Sequence, residues 1–226
     1  MPTLFIVATP LGNLQDISAR ALDTLRTVDA IVCEDTRVTA KLLAGHEISR
    51  PLISHHHHST QQKTKEIIGL LAAGKNLALV TDAGTPAISD PGGMLIRDIL
   101  ATLGDEINII PIPGPCAAIA ALSIAAFPCD RFVFLGFPPH KNGRKTWFEE
   151  LARREETLVF YESTHRIEKC LKSFEELKEL KDRPLVICRE LTKMYETTYR
   201  GTAVEILGKL KATSIKGEFV IVVGPR

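Results

Sequence analysis

Three glycines, two prolines and two aspartates fall within twelve residues, Asp82-Ala83-Gly84-Thr85-Pro86-Ala87-Ile88-Ser89-Asp90-Pro91-Gly92-Gly93. Proline fixes φ, and glycine admits close approach and backbone geometries closed to other residues. Such a loop is stiff and presents main-chain N–H and C=O groups, which is ligand-binding chemistry rather than simple connection. Two further stretches have a similar character: Thr9-Pro10-Leu11-Gly12-Asn13-Leu14 and Pro111-Ile112-Pro113-Gly114-Pro115-Cys116. The first also reads as a turn into a helix capped by Asp16 or Ser18, and the second as a rigid hinge. Glu34-Asp35-Thr36-Arg37 supplies carboxylates that suit a ribose hydroxyl. Equally, Asp35 reads as a helix N-cap with Arg37 in a surface ion pair. Neither a Gly-x-Gly-x-x-Gly run nor a glycine-rich phosphate loop ending in Gly-Lys-Ser/Thr occurs, which weighs against dinucleotide and nucleoside-triphosphate binding.

All four stretches follow short apolar runs. Strands are expected at 4–8, 30–34, 52–54, 77–81 and 107–111, alternating with helices at 18–28, 36–44, 60–73 and 93–103. That alternation implies a mostly parallel sheet with helices on both faces, and ligands bind beyond the carboxyl ends of such strands. The second half has another rhythm: strands at 131–136, 157–161, 185–189, 196–201 and 219–223, helices at 143–154, 164–180 and near 204–210. Two successive strands without an intervening helix predict a mixed sheet. Two α/β domains are expected, residues 1–114 and 115–226.

The uncharged stretch 107–129 is interrupted by Pro111, Pro113, Gly114 and Pro115. Its helical remainder, 116–127, is too short for the about 20 residues of a membrane span. The five cysteines are widely spaced without a Cys-x-x-Cys pair, a pattern of reduced thiols and cytoplasmic location rather than disulfides or zinc. The start of the chain has neither the basic nor the long apolar part of an export signal. With 45% hydrophobic and 24% charged residues, the 226-residue chain is globular rather than disordered. Its 28 basic and 27 acidic side chains give a net charge of +1. Residues 1–113 hold 9 basic and 12 acidic side chains, a net of −3, and residues 114–226 hold 19 and 15, a net of +4. The whole-chain balance gives no hint of a nucleic-acid partner, and the second half is only mildly basic.

The four stretches occur in order with Phe134-Leu135-Gly136-Phe137, Phe160-Tyr161-Glu162-Ser163, His165-Arg166-Ile167, Arg189-Glu190-Leu191-Thr192-Lys193, Arg200-Gly201 and Lys216-Gly217-Glu218. This ordered set, covering almost the whole chain, resembles the RsmI family of ribosomal small-subunit RNA ribose 2'-O-methyltransferases, a branch of the tetrapyrrole-methylase superfamily. The resemblance implies a two-domain α/β fold with the cofactor S-adenosylmethionine in a cleft between the domains. It further implies methylation of a cytidine 2'-hydroxyl in the decoding region of 16S rRNA, in free RNA or the small subunit, and a homodimer with no membrane partner and no metal. By motif match the cofactor residues are Thr9, Pro10, Leu11, Asp82, Gly84, Thr85, Pro86, Ile88, Ser89, Pro113, Gly114, Pro115, Cys116 and Ala117. Cys116 stands where the family usually has serine, Thr164 where it has proline, Ala125-Ala126 where it has Ser-Gly, and Tyr195-Glu196-Thr197 where it has His-Glu-Glu.

A ribose hydroxyl is a weak acid, so a base or a nearby cation should assist its attack, by about 10²–10⁴-fold. The candidates are Glu34, Asp35, Glu162 and Glu190 as bases, with Arg37, Lys141, Arg166 and Lys193 as positioning cations. RNA phosphates call for basic side chains; the candidates are Lys141, Arg144, Lys145, His165, Arg166 and Arg189. The run His55–His58 could line the same cleft or form a solvated loop. Two rival readings are a tetrapyrrole methyltransferase of the same superfamily and a non-catalytic RNA-binding or assembly protein.

Overall fold

In the computed structural model, which describes residues 1–56, 59–90 and 92–226, alternate side chains of the first five strands feed two different cores. The strands are β1 (Thr3–Val7), β2 (Ala30–Cys33), β3 (Leu52–Ser54), β4 (Leu77–Leu79) and β5 (Asn108–Ile112). They form one all-parallel sheet in the order β3-β2-β4-β1-β5. Leu4, Val32, Leu77 and Leu79 pack with Ile67, Leu71, Leu95 and Ile99 from helices α3 (Gln61–Ala72) and α4 (Gly93–Leu103). Val7, Ile31, Cys33 and Ala78 pack with Ala21, Leu25 and Leu43 from α1 (Ala19–Thr27) and α2 (Thr36–Ala44). A sheet covered on both faces needs apolar residues at nearly every strand position, as these strands have. Ser18, Asp35 and Thr60 cap α1, α2 and α3 by accepting backbone N–H bonds.

The chain divides into two compact units, Met1–Cys116 and Ala117–Arg226. The second opens with α5 (Ala117–Ser123), β6 (Phe132–Phe134), α6 (Arg144–Arg153), β7 (Thr157–Ser163), α7 (Ile167–Glu176) and α8 (Lys178–Lys181). It closes with β8 (Leu185–Arg189), β9 (Thr197–Gly201), α9 (Ala203–Ala212) and β10 (Glu218–Val223). Its sheet runs β6-β7-β10-β8-β9; the β6–β7 pair is parallel and the other three are antiparallel. Phe148, Phe160, Phe174 and Phe219 are fully buried in its core, with Trp147 against Phe160 at 5.2 Å between ring centres.

Two expected helices differ from those observed. The helix expected at 164–180 begins only at Ile167 and breaks at Leu177, whose backbone is extended. Its buried face is Ile167, Cys170, Leu171 and Phe174; one more turn would bring Lys178 and Lys181 onto that face. The break instead delivers Leu180 into the core. The helix expected at 116–127 stops at Ser123, and Ala126 is left-handed at φ 59°. Its freed carbonyls, those of Ile124 and Ala125, accept hydrogen bonds from Arg200 on β9. The apolar sequence carries no stop signal because the capping group is distant in sequence.

Candidate functional site

The carboxyl ends of the parallel strands gather the loops that the sequence singled out. After β1, Thr9 pairs with Gly84 through two backbone bonds, N–H to O of 2.9 and 3.0 Å. The Thr9 hydroxyl donates to the Thr81 carbonyl at 3.0 Å, and the Thr85 hydroxyl donates to the Pro115 carbonyl at 3.1 Å. The loops after β1, β4 and β5 are thereby stitched into one edge. Gly84 sits at φ 88°, and a Cβ there would lie 3.4 Å from Leu11 Cδ2. A Cβ on Gly114 would lie 3.0 Å from that of Ala8. Gly114 therefore lets the β5 loop run close against the main chain of Ala8, and Gly84 supplies a backbone conformation that a side chain would strain.

Between Gly84 and Gly92 the loop is strained. Ala87 and Ser89 are left-handed at φ 68° and 62°, a conformation that costs roughly 1–2 kcal/mol for a residue with a Cβ. Such strain persists where surrounding structure enforces it, and it clusters at ligand sites. Ile88, between them, is 45% exposed, while Pro86 is buried. Pro91 lies outside the described residues, as do His57 and His58 of the histidine run. His55 hydrogen-bonds through its N–H to the Cys33 carbonyl at 2.8 Å, and burial lowers the proton affinity of its ring.

Beside this edge lies a groove of about 380 Å³ whose lining includes Thr9, Leu11, Val38, Lys41, Leu42 and Asp82. Val38, Lys41 and Leu42 share one face of α2 at helical spacing, a pattern that sequence reasoning passed over. Asp82 and Asp35 come together here: the Asp35 N–H donates to Asp82 Oδ1 at 3.3 Å. Their electrostatics diverge. The Arg37 guanidinium grips both Asp35 oxygens, with Nε–Oδ1 at 3.0 Å and Nη2–Oδ2 at 2.6 Å, and Arg37's own N–H adds a bond. These contacts hold the Asp35 carboxyl at about 2. Burial, then the Asp35 charge, pushes the Asp82 carboxyl up. Asp35 thus caps its helix and pairs with Arg37 at once, while Asp82 is the carboxylate on the groove with raised proton affinity. Glu34 lies alongside, half-buried at the end of β2.

The second unit gathers a different set of charges. Glu162, fully buried on β7, is bound by Arg144 Nη2 at 3.0 Å and Arg166 Nε at 2.9 Å. The side chains of Arg144 and Arg166 are only 6% and 15% exposed. Glu162 is therefore a buried counter-ion rather than a base. Arg144 also gives its Nη1 to the Pro139 carbonyl and has no free face for a phosphate. Arg189 is likewise buried, its Nε on the Lys216 carbonyl and its Nη1 on that of Tyr195. Both were expected to meet RNA; the fold instead turns Arg144 onto the Glu162 carboxylate and the Pro139 carbonyl, and Arg189 onto the carbonyls of Lys216 and Tyr195.

Lys193 bridges Glu190 at 3.1 Å and Glu218 at 2.7 Å. Burial works against ionising Glu190, but the Glu218 N–H and the Lys193 ammonium prevail and hold its carboxyl below the usual range. Glu190 is thus a poor proton acceptor, and it is left-handed at φ 52°. A Cβ at Gly217 would meet Glu190 Cγ at 2.6 Å, so only glycine fits there. Thr164, the departure from the family's proline, uses its hydroxyl to bridge the Gly217 carbonyl at 2.6 Å and N–H at 2.7 Å. Lys141, Lys145 and His165 are exposed. Among the described residues no three His, Cys, Asp or Glu side chains gather as metal ligands, and no helix is long and apolar enough to cross a membrane.

Residues 3–207 match the family model of the tetrapyrrole (corrin/porphyrin) methylases. The chain is 44% identical over 224 residues to ribosomal RNA small subunit methyltransferase I of Bacillus subtilis (strain 168), covering 99% of this chain and 75% of that protein. It is 46% identical over 224 residues to the protein of the same name in Xylella fastidiosa, covering 98% and 81%. Among solved structures it resembles cobalt precorrin-4 methyltransferase, a cobalamin biosynthetic enzyme, with a TM-score of 0.71 at 20% identity over 98% of this chain and 94% of that one. It also resembles uroporphyrin-III C-methyl transferase from Thermus thermophilus complexed with S-adenyl homocysteine, with a TM-score of 0.66 at 14% identity over 99% and 97%. At such identities the likeness to the solved structures is one of fold.

Proposed function

This chain belongs to the tetrapyrrole methylase family, in its ribosomal RNA small subunit methyltransferase I group, and on that premise we propose that it transfers the methyl group of S-adenosylmethionine to a cytidine ribose 2'-hydroxyl of 16S rRNA. The observation that carries the reading is 44–46% identity, over nearly the whole chain, to proteins named for ribosomal RNA. The tetrapyrrole enzymes it resembles in fold share only 14–20%. That contrast favours RNA over a tetrapyrrole as the acceptor.

The strand-end edge of the first unit suits the cofactor. Its loops draw the ends of β1, β4 and β5 together around the Thr9–Gly84 bridge, and the Asp82 carboxylate on the groove favours a cationic ligand. When bound, the sulfonium supplies an already activated methyl group. The task left to the protein is to orient the acceptor for in-line attack at about 3–3.5 Å and to exclude water. Proline-rich loops lose less entropy on ordering than flexible ones do. Asp82 is the carboxylate best suited to accept the hydroxyl proton on Oδ1 or Oδ2: it faces the groove, and its proton affinity is raised where that of Asp35 is lowered. Arg37, locked on Asp35, keeps the neighbouring carboxylate ionised.

The proposal places the protein in the cytoplasm with its RNA, as a homodimer; sedimentation tests the second part. Incubation with labelled cofactor and small ribosomal subunits, followed by nucleotide mapping, tests the whole. Label on a ribose supports it, and label only on a base contradicts it.

A further inference from the structure

Phe137 follows β6 and is 48% exposed, yet it is held from several sides. Gly136 before it takes φ 63°, and its carbonyl accepts the Tyr161 N–H at 2.8 Å. The carbonyls of Pro138 and Pro139 after it accept Arg166 Nη1 at 3.0 Å and Arg144 Nη1 at 3.3 Å. The ring sits edge-on to Tyr161, 5.4 Å between centres, and the Arg166 guanidinium carbon is 6.0 Å from its centroid. The buried Arg144–Glu162–Arg166 cluster therefore works as a clamp on the loop that carries this ring.

An exposed aromatic residue alone means little. This one is fixed in place at the expense of burying three charges, a device that hydrophobic residues could replace without loss of stability. In sequence its flank is basic: from Arg131 to Phe148 the chain has no acidic residue, and Lys141, four residues beyond the ring, is exposed. The clamp itself carries two positive charges against one negative. A rigid aromatic face amid positive charge is the arrangement that stacks a base of single-stranded nucleic acid while its phosphates meet the cations.

We propose that Phe137 is a stacking platform for a nucleobase of the RNA substrate, oriented by the Arg144–Glu162–Arg166 clamp. This rests on the RNA reading above. The probe is a fluorescein-labelled ten-nucleotide single-stranded RNA containing cytidine, titrated by fluorescence polarisation. F137A should weaken binding about 5- to 100-fold, and F137L should be as weak, while F137W should restore it. The slope of affinity against salt should stay unchanged in F137A and fall by about one in K141A. The melting temperature and the calorimetric affinity for S-adenosylmethionine should stay at wild-type values in all variants. In F137W, RNA should quench emission beyond what Trp147, the single natural tryptophan, shows in the wild type. Full affinity in F137A or F137L would overturn the platform and leave the RNA reading standing. Loss of the dimer in F137A, with RNA affinity intact, would make the ring a subunit contact and equally overturn it. A wild type that binds neither this RNA nor small subunits would overturn the RNA reading itself.

Discussion

Replacing Glu162 with glutamine should cost about 3–5 kcal/mol of stability, the magnitude for removing one partner of a buried ion pair. The carboxylate is fully buried and meets Arg144 at 3.0 Å and Arg166 at 2.9 Å, while the Ser163 N–H also donates to Oε1 at 2.8 Å. Glutamine keeps the shape and one acceptor oxygen. Its NH2 then confronts a guanidinium, and two cations stay in the interior with carbonyls as partners but no counter-charge. The exposed Lys145–Glu149 pair on α6, at 3.8 Å, provides the contrast: removing it should cost about 0–1 kcal/mol. Urea denaturation followed through Trp147 reads the unit concerned, because that ring lies in the same core 5.2 Å from Phe160. Since a domain is stable by about 5–15 kcal/mol in total, the E162Q midpoint should move far below the wild-type one. A loss under about 1 kcal/mol would refute the clamp. A second control is simultaneous replacement of Arg144, Glu162 and Arg166 by methionine. It should recover most of the stability and still release the Pro138 and Pro139 carbonyls.

Asp82 should behave in the opposite way. A carboxyl raised above the ordinary 3.8 contributes stability that is present below that pH and lost as pH rises through the folded value. At neutral pH its charge is thus a cost, and D82N should melt at or above the wild-type temperature while methyl transfer falls about 10²–10⁴-fold; a lower melting temperature with intact transfer would remove it from the chemistry. In G84A, a Cβ at φ 88° strains the loop and crowds Leu11 Cδ2 at 3.4 Å, so calorimetry should show weaker cofactor binding and the melt a loss of about 1–2 kcal/mol. Asp35, held at about 2 by Arg37, contributes stability above pH 3.8 that fades as pH falls through its folded value. In R37A the residue-37 N–H bond remains but the guanidinium is gone, so the carboxyl should titrate higher than in the wild type while staying below 3.8, as carbon-detected NMR of the side chain would show; unchanged titration would mean the ion pair does not hold in solution.

Strand positions were legible because a buried parallel sheet leaves a dense apolar signature, as in Leu4 to Val7 and Ala30 to Cys33. The loops after β1, β4 and β5 were legible through glycine and proline. The stitching of Thr9 to Gly84 was not, since it depends on strand order rather than on any local pattern. Charge was the least legible property. Arg144, Arg189 and Glu162 look in sequence like Lys141 and His165: polar residues among loop signals. Only the folded chain tells a guanidinium that faces water from one that satisfies buried carbonyls. The divergence of Asp35 and Asp82 was hidden for the same reason, because their separation of 47 positions closes up only when β2 and β4 pair. The break at Leu177 shows a tertiary demand, the burial of Leu180, overriding good local helix propensity.

Mapping the methyl group tests the central claim most directly. Small ribosomal subunits incubated with the protein and labelled S-adenosylmethionine should carry label on a single cytidine of 16S rRNA, resistant to alkaline cleavage at its 3' side because the 2'-oxygen is methylated. Label confined to a nucleobase, or incorporated into a tetrapyrrole and not into RNA, would contradict ribose methylation.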